Sequence, residues 1–333
     1  MTLSQDEQFM KVALNIARRG LGLVGQGRPS VGCVIVLKGN IVAAARTGDG
    51  GQPHAEAAAL ALAFFEAKGA TAYVTLEPCA HQGRTPPCAE ALVKAGIKRC
   101  VIACRDPFVE VNGKGIKILQ DAGIEVVEGV CEAQARAVNK GFLLTVEEER
   151  PYVTCKLAVS ADGKIAAAKG ERTAISGDLA KRHTHMQRSR HDAILVGSET
   201  YLADQPQLTT RVKGLEHTPL RVILDGQGRV KAADGFEVLT NDVVDTRDIR
   251  AVLAHLVKMG VTRLLVEGGA EIHKSFLLSS FVDEFQLTVS PKELGPEGVL
   301  GVSKEDIQAL GGLKLQKTQL LGEDTLEIYT RAD

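Results

Sequence analysis

The stretch HAEAAALALAFFEAKGATAYVTLEPCAHQGRTPPCAEAL, His54 to Leu92, decides how this chain is read. It begins as an alanine-rich helix that closes on Lys68-Gly69, a common way for a helix to stop. It continues through TAYVTLEP, an apolar run of strand length, into PCAEALVKAG, which again has helix composition. A helix, a buried strand and a second helix in succession imply an α/β sheet with helices on its faces. The same pattern extends outward. VGCVIVLKGNIVA reads as two strands joined by a Gly-Asn turn. MTLSQDEQFMKVALNIARRG is an amphipathic helix with Phe9, Met10, Ala13, Ile16 and Ala17 on one face. IKRCVIAC, NGKGIKILQDAG and IEVVEG add strand, helix and strand.

With 333 residues the chain is long for one core and suits two domains. The charged run in NKGFLLTVEEERP reads as a solvated boundary, giving domains 1–146 and 151–333. Beyond it, YVTCKLAVS, DAILVG, LRVILD, RLLVEGG and EFQLTVSP read as strands, and GDLAKRHTHMQRSRH, IRAVLAHLVKMG and AEIHKSFLLSS as helices: a second α/β domain. The formal net charge of −1 lacks the basic footprint of a nucleic-acid binder. No apolar run reaches membrane-helix length, and the N-terminus lacks a signal-peptide core, so a cytoplasmic location is expected. Seven cysteines, an odd number, point to thiols or metal ligands. Of these, Cys33, Cys100, Cys104, Cys131 and Cys155 lie in apolar runs and read as core packing.

His54, Cys79 and Cys88 are ligand types that suit a tetrahedral zinc site with one open position. Zinc can lower the pKa of bound water to about 7. Glu56, two residues after His54 and early in a helix, can then carry a proton from that water to a leaving amine. Two plainer readings stand beside this one. His54 could be a helix cap with Cys79 and Cys88 as buried thiols, or the zinc could be structural, with His81 as its fourth ligand.

HAE followed by PC and a second cysteine resembles the zinc nucleoside and nucleobase deaminases, H-x-E…P-C-x-x-C. Here eight residues, not two, separate the cysteines. TLEPCAHQGRTPPC is similar to the deaminase half of the bifunctional deaminase–reductases of riboflavin biosynthesis. That half deaminates a diaminopyrimidinone ribosylamino 5′-phosphate, and the resemblance implies that His81 and Arg84 meet the substrate. A guanidinium can grip a phosphate through paired hydrogen bonds. KLAVSADGKIA, HDAILVGSETYLADQPQLTTR, RVILDGQGR, LLVEGGAEIHKSFL and VDEFQLTVSPKELG resemble the family's reductase half in the same order. The resemblance therefore covers nearly the whole chain. It implies a cytidine-deaminase-like α/β/α domain followed by a dihydrofolate-reductase-like α/β domain that uses NADPH to reduce the ribose carbonyl to a ribityl chain.

Matched position by position, Ala158, Thr200, Asp204, Gly226 and the turn Gly269, Ala270, Glu271, Ile272, His273, Lys274 and Ser275 would contact NADPH. Arg188, Leu208, Arg211 and Glu267 would meet the substrate, and Lys156 would orient the reacting carbonyl. The sequence departs from the family in three places. Arg28 replaces the asparagine before VGCVIV, and Thr47 replaces a histidine before the metal helix. In GERTAISG, Arg172 and Ala174 stand where the family has Ser and Trp, so Arg172 becomes a candidate phosphate contact and Ala174 leaves the cofactor a smaller surface. One zinc per chain, NADPH, a small phosphorylated pyrimidine and a homo-oligomer, dimer or tetramer, are the expected cofactors and partners. The alternatives are a zinc deaminase of another pyrimidine or nucleotide with a non-catalytic second domain, and a zinc-stabilised nucleotide sensor. The sensor would have no use for Glu56.

Overall fold

The computed structural model describes residues 4–82, 86–108, 111–215, 217–231 and 233–331. The chain forms two compact units, Met1–Glu148 and Glu149–Asp333. No helix among the described residues is long and apolar enough to cross a membrane.

The first unit contains α1 (Gln5–Ala17), β1 (Gly32–Leu37), β2 (Asn40–Arg46), α2 (Ala55–Ala63), β3 (Thr71–Val74), α3 (Cys88–Lys94), β4 (Arg99–Ile102), α4 (Lys114–Asp121), β5 (Glu125–Glu128), α5 (Glu132–Val138) and α6 (Lys140–Glu147). Its sheet runs β2-β1-β3-β4-β5. The β1–β2 and β1–β3 pairs are antiparallel, and β3, β4 and β5 are parallel. Ser4 caps α1 in a capping box with Glu7. Met10, Ala13, Leu14 and Ala17 turn inward from α1, so Leu14 joins the apolar face expected from sequence. The helix lies close on β1: a Cβ on Gly32 would come within 2.1 Å of the Ala13 carbonyl oxygen.

Several boundaries differ from the sequence reading. The β1–β2 turn is Lys38-Gly39, with φ of 51° and 81°, one residue earlier than Gly-Asn. Two left-handed residues are what a two-residue hairpin needs, and Asn40 already belongs to β2. The helix starting at Ala55 stops at Ala63, because Phe64 adopts φ 47° and the chain tightens into a 3₁₀ turn over Phe64–Ala67. The apolar stretch before the charged boundary forms α6, which buries Leu143 and Leu144, while Glu147, Glu148 and Glu149 are exposed where the two units divide. Arg150 is also buried, and its two terminal nitrogens donate to Asp283 at 2.8 and 3.1 Å. Cys131 is only half-buried, at the start of α5, whereas Cys33, Cys100, Cys104 and Cys155 are buried.

The second unit contains β6 (Tyr152–Val159), β7 (Lys164–Ala166), α7 (Asp178–Arg188), β8 (Ala193–Gly197), α8 (Ser198–Asp204), β9 (Leu220–Leu224), β10 (Glu237–Leu239), α9 (Ile249–Lys258), β11 (Arg263–Glu267), α10 (Ala270–Leu278), β12 (Glu284–Val289), β13 (Val299–Leu300), α11 (Lys304–Ala309), β14 (Lys314–Leu321) and β15 (Asp324–Thr330). Its large sheet has the order β10-β9-β8-β11-β6-β12-β15-β14. The strands from β10 to β12 are parallel; β15 and β14 close the edge as an antiparallel hairpin. After β8 the chain adds β9 and β10 on one side, then returns to insert β11 between β8 and β6. The connections therefore diverge at the carboxyl ends of β8 and β11, the crevice where open α/β sheets place ligands. Val153, Cys155, Leu157, Leu264, Val266, Leu253, Leu256, Phe276 and Phe285 share one core. Ile194, Val196, Leu208, Ile223 and Leu265 form a smaller one.

Candidate active site

His54 occupies the residue before α2, in extended backbone (φ −65°, ψ 155°), and its side chain caps nothing. The imidazole turns instead toward two cysteines. Nδ1 lies 3.6 Å from Cys79 Sγ and 3.4 Å from Cys88 Sγ. Cys79 follows the carboxyl end of β3, and Cys88 opens α3, where its backbone N–H donates to Cys79 Sγ at 3.3 Å. The three ligand atoms lie within 4.8 Å of one another. Among the described residues this is the one such group, and His81 is exposed outside it. Two sulfurs and an imidazole nitrogen are a zinc donor set, and three protein ligands leave a position open.

The electrostatics agree with that chemistry. A hydrogen bond from the Cys88 side chain brings the Cys79 thiol down to about 4, assisted by His54, while the Cys88 thiol is pushed up by the same contact. The hydrogen bond with Cys79 raises His54. Glu56, in the first turn of α2, is 4% exposed, and burial raises its carboxyl to about 7. A carboxyl poised near neutrality can both take and give a proton.

The surrounding positions divide. Arg28 lies over the Gly50–Gly51 turn, its Nη1 3.2 Å from the Gly50 carbonyl, and its charge reaches His54. Thr47 is buried, and its hydroxyl accepts the Val31 N–H at 2.9 Å, so it ties the start of β1 to the end of β2. Arg84 lies outside the described residues.

Two acidic residues went unmarked in the sequence. Glu77, buried just before Cys79, accepts the N–H groups of Gly113, Gly115 and Ile116 at 3.0, 3.1 and 3.3 Å. It therefore binds the metal loop to the start of α4. A Cβ on Gly115 would come within 1.9 Å of the Pro78 carbonyl oxygen, so this approach requires glycine. Asp106 lies beyond β4; burial raises its carboxyl to about 6, and the charges of Cys79 and His81 reach it. An Asp-Pro at the carboxyl end of a parallel strand was the available signal.

In the second unit, Glu267 ends β11 in register with Lys156 of β6. Arg188 donates to Glu267 in bidentate fashion, Nε to Oε1 at 2.7 Å and Nη2 to Oε2 at 2.8 Å, and through Nη1 to the Thr209 carbonyl at 3.2 Å. Burial alone would raise the Glu267 carboxyl, but Arg188 holds it below its usual range. Burial lowers Lys156, with Glu267 opposing. Arg211 hydrogen-bonds Gln207 at 2.6 Å on the surface. Leu208 has φ 48° and a side chain packed in the smaller core, so only its backbone can face a substrate.

At the β8–β11 crevice, Thr200 Oγ1 accepts the Gly269 N–H at 3.1 Å. Ala158 is half-buried near the end of β6. Burial raises Asp204, at the end of α8, and the charge of Arg172 opposes the shift. The Ala174 carbonyl accepts from Lys292 Nζ at 3.3 Å. Gly226 lies against Thr246, whose Oγ1 would be 2.5 Å from a Cβ there. The expected turn is helical from Ala270 onward, as the start of α10; there Ala270, Ile272 and Lys274 are half-buried, and Glu271 and Ser275 are exposed. His273 differs from the expected contact surface: it is fully buried, its ring packed 5.5 Å from that of Phe285. It falls on the inward face of α10 with Phe276 and Leu277.

Residues 3–104 match the cytidine and deoxycytidylate deaminase zinc-binding region, and residues 151–326 match the RibD C-terminal domain. The second match disfavours a degenerate second domain. The riboflavin biosynthesis protein RibD of Aquifex aeolicus is 36% identical over 356 aligned positions, covering 98% of both chains. Acinetobacter baumannii RibD superimposes with a TM-score of 0.89 at 37% identity, covering 99% of both chains. The diaminohydroxyphosphoribosylaminopyrimidine deaminase/5-amino-6-(5-phosphoribosylamino)uracil reductase of Thermotoga maritima superimposes with a TM-score of 0.87 at 32% identity, covering 98% of this chain and 99% of that one. With both halves matched in order and almost end to end, the chain belongs to the RibD family of bifunctional riboflavin-biosynthesis deaminases and reductases.

Proposed function

We propose that His54, Cys79, Cys88 and Glu56 deaminate 2,5-diamino-6-ribosylamino-4(3H)-pyrimidinone 5′-phosphate, and that the second unit reduces the product to 5-amino-6-ribitylaminouracil 5′-phosphate. One zinc per chain, held by His54, Cys79 and Cys88, supplies the Lewis acidity that makes water a nucleophile near neutral pH. Glu56 takes a proton from the attacking water and delivers it to the departing amine, which leaves as ammonia while the water oxygen stays on the ring. His81 and Arg84 hold the substrate at the loop between the cysteines. Glu56 is nearly closed off from solvent, so its carboxyl exchanges protons with the attacking water and not with bulk water.

NADPH would be held at the carboxyl ends of β8 and β11 and, when bound, would supply the hydride for the second reaction. Ala158, Ala174, Thr200, Asp204, Gly226 and the backbone of Gly269–Ile272 at the start of α10 position it. Lys156 hydrogen-bonds the ribose carbonyl oxygen and gives it a proton. Burial lowers this lysine, so it releases that proton more readily than a free amine. Glu267 orients both Lys156 and Arg188, while Arg172, Arg188 and Arg211 face the phosphate and Leu208 offers backbone.

The observation that carries this reading is the three-ligand cluster beside a buried carboxyl. The test is to incubate the purified protein with the diaminopyrimidinone phosphate, with and without NADPH. Ammonia release should need no NADPH, and NADPH oxidation should follow only once the deaminated intermediate is present. Full deamination by zinc-free protein would overturn the metal assignment. No NADPH oxidation on the supplied intermediate would overturn the second half.

A further inference from the structure

The peptide unit of Gly269 is held at both of its polar atoms. Its N–H donates to Thr200 Oγ1 at 3.1 Å. Its carbonyl accepts from His273 Nδ1 at 3.0 Å, alongside the backbone N–H of His273 at 3.4 Å. Gly269 is the residue before α10, and no side chain of its own caps the helix. The amides of Ala270, Glu271 and Ile272 therefore have no acceptor within the helix, as in the first turn of any helix. Their direction depends on how firmly the Gly269 peptide is fixed.

His273 is fully buried, and its Nε2 meets no well-aligned hydrogen-bond partner, only weak contacts from the Val266 and Lys156 backbone reaching the ring. Burial holds the ring below the ordinary imidazole range, hence neutral, with its one proton on Nδ1 for Gly269. A leucine would fill the same space beside Phe276 and Phe285 without stranding a nitrogen. Packing alone therefore does not account for a histidine, whereas a donor aimed at Gly269 does.

We infer that His273 is a positioning residue of the reductase unit, clamping the Gly269 peptide from the core side as Thr200 clamps it from the crevice, so that the first amides of α10 are preset for an anionic group of the nicotinamide cofactor. The clamp rests on the cofactor reading above. It assigns His273 to the shape of the turn and not to direct contact with the cofactor.

Titration calorimetry of NADPH into the full-length protein tests the clamp, with thermal midpoints measured on the same preparations. His273→Leu should weaken NADPH about 5–10-fold, the scale of one lost hydrogen bond. Its thermal midpoint should change little, because leucine fills the same apolar space beside Phe276 and Phe285. His273→Asn, which keeps a donor near Nδ1, should stay within about twofold of the parent. Thr200→Ser, which keeps the hydroxyl on the Gly269 N–H, should stay within about twofold of the parent, and His273→Met gives a second reading if the leucine variant fails to fold. Unchanged NADPH affinity in a folded His273→Leu or His273→Met overturns the inference. So does a parallel loss of affinity and thermal midpoint in His273→Leu and His273→Asn alike, the mark of a merely structural residue. If the parent protein itself binds no NADPH, the cofactor reading fails and the clamp falls with it.

Discussion

Single residues carry the chemistry of the first unit, and their legibility was uneven. His54, Cys79 and Cys88 could be picked out because metal ligation constrains residue type as well as spacing, and the structure brings their ligand atoms together. Glu56 could be picked out because two residues into a helix is a fixed direction. The outcome that separates its role from theirs is Glu56→Gln: zinc content should stay at the parent value, while the deamination rate falls ~10²–10⁴-fold, the span of general acid–base catalysis. Metal analysis beside steady-state rates checks both halves. A zinc-free variant would instead make Glu56 a ligand. His273 and Leu208 could not be placed from sequence. Whether a helix residue or a left-handed loop residue faces core or crevice depends on which sheet face it covers, and no local pattern states that.

At the scale of elements, strands with strong apolar runs, such as β1, β8 and β11, stand out because burial on both faces demands them. The hairpin of β14 and β15 was invisible for the opposite reason. Residues 314–320 of β14 are exposed, so no alternation marks that strand. The reach of α2 was overread because the helical composition of its sequence continues past Ala63, while the left-handed Phe64 stops it. Glu77 shows how one element positions another. Glu77→Ala strands three amides at the start of α4 and should cost about 1–3 kcal/mol of stability. Because Cys79 follows two residues later, the same variant should surrender zinc to a chelator faster than the parent, whereas Glu77→Gln, which keeps one acceptor oxygen, should fall between them. Thermal denaturation with chelator competition reads both effects.

Across the whole molecule, four of the six histidines of the second unit share a response to acid. Burial lowers His183, His185, His191 and His273, and takes His191 down to about 3. A depressed folded pKa contributes stability above the unfolded value, near 6.5, that is lost as pH falls toward the folded one. His191 Nε2 lies 3.0 Å from Thr154 Oγ1, and Nδ1 lies 2.7 Å from the Gln187 carbonyl. The thermal midpoint should therefore fall between pH 6.5 and 4, and His191→Asn should flatten that slope even if it lowers the starting point. Parallel slopes would remove His191 from the account. The order of strands in the large sheet has another consequence, in time and not in space. Thr154 on β6 pairs with Leu265 on one side and with Glu284 on the other, so the first strand of this unit to leave the ribosome has no neighbours until most of the unit has followed. The first unit needs nothing beyond Glu148 to close its sheet. Nascent chains therefore carry a finished amino-terminal half while β6 waits, and pulse-labelled amides during refolding should gain protection in β1 and β3 before β6, because distant pairings form slowly.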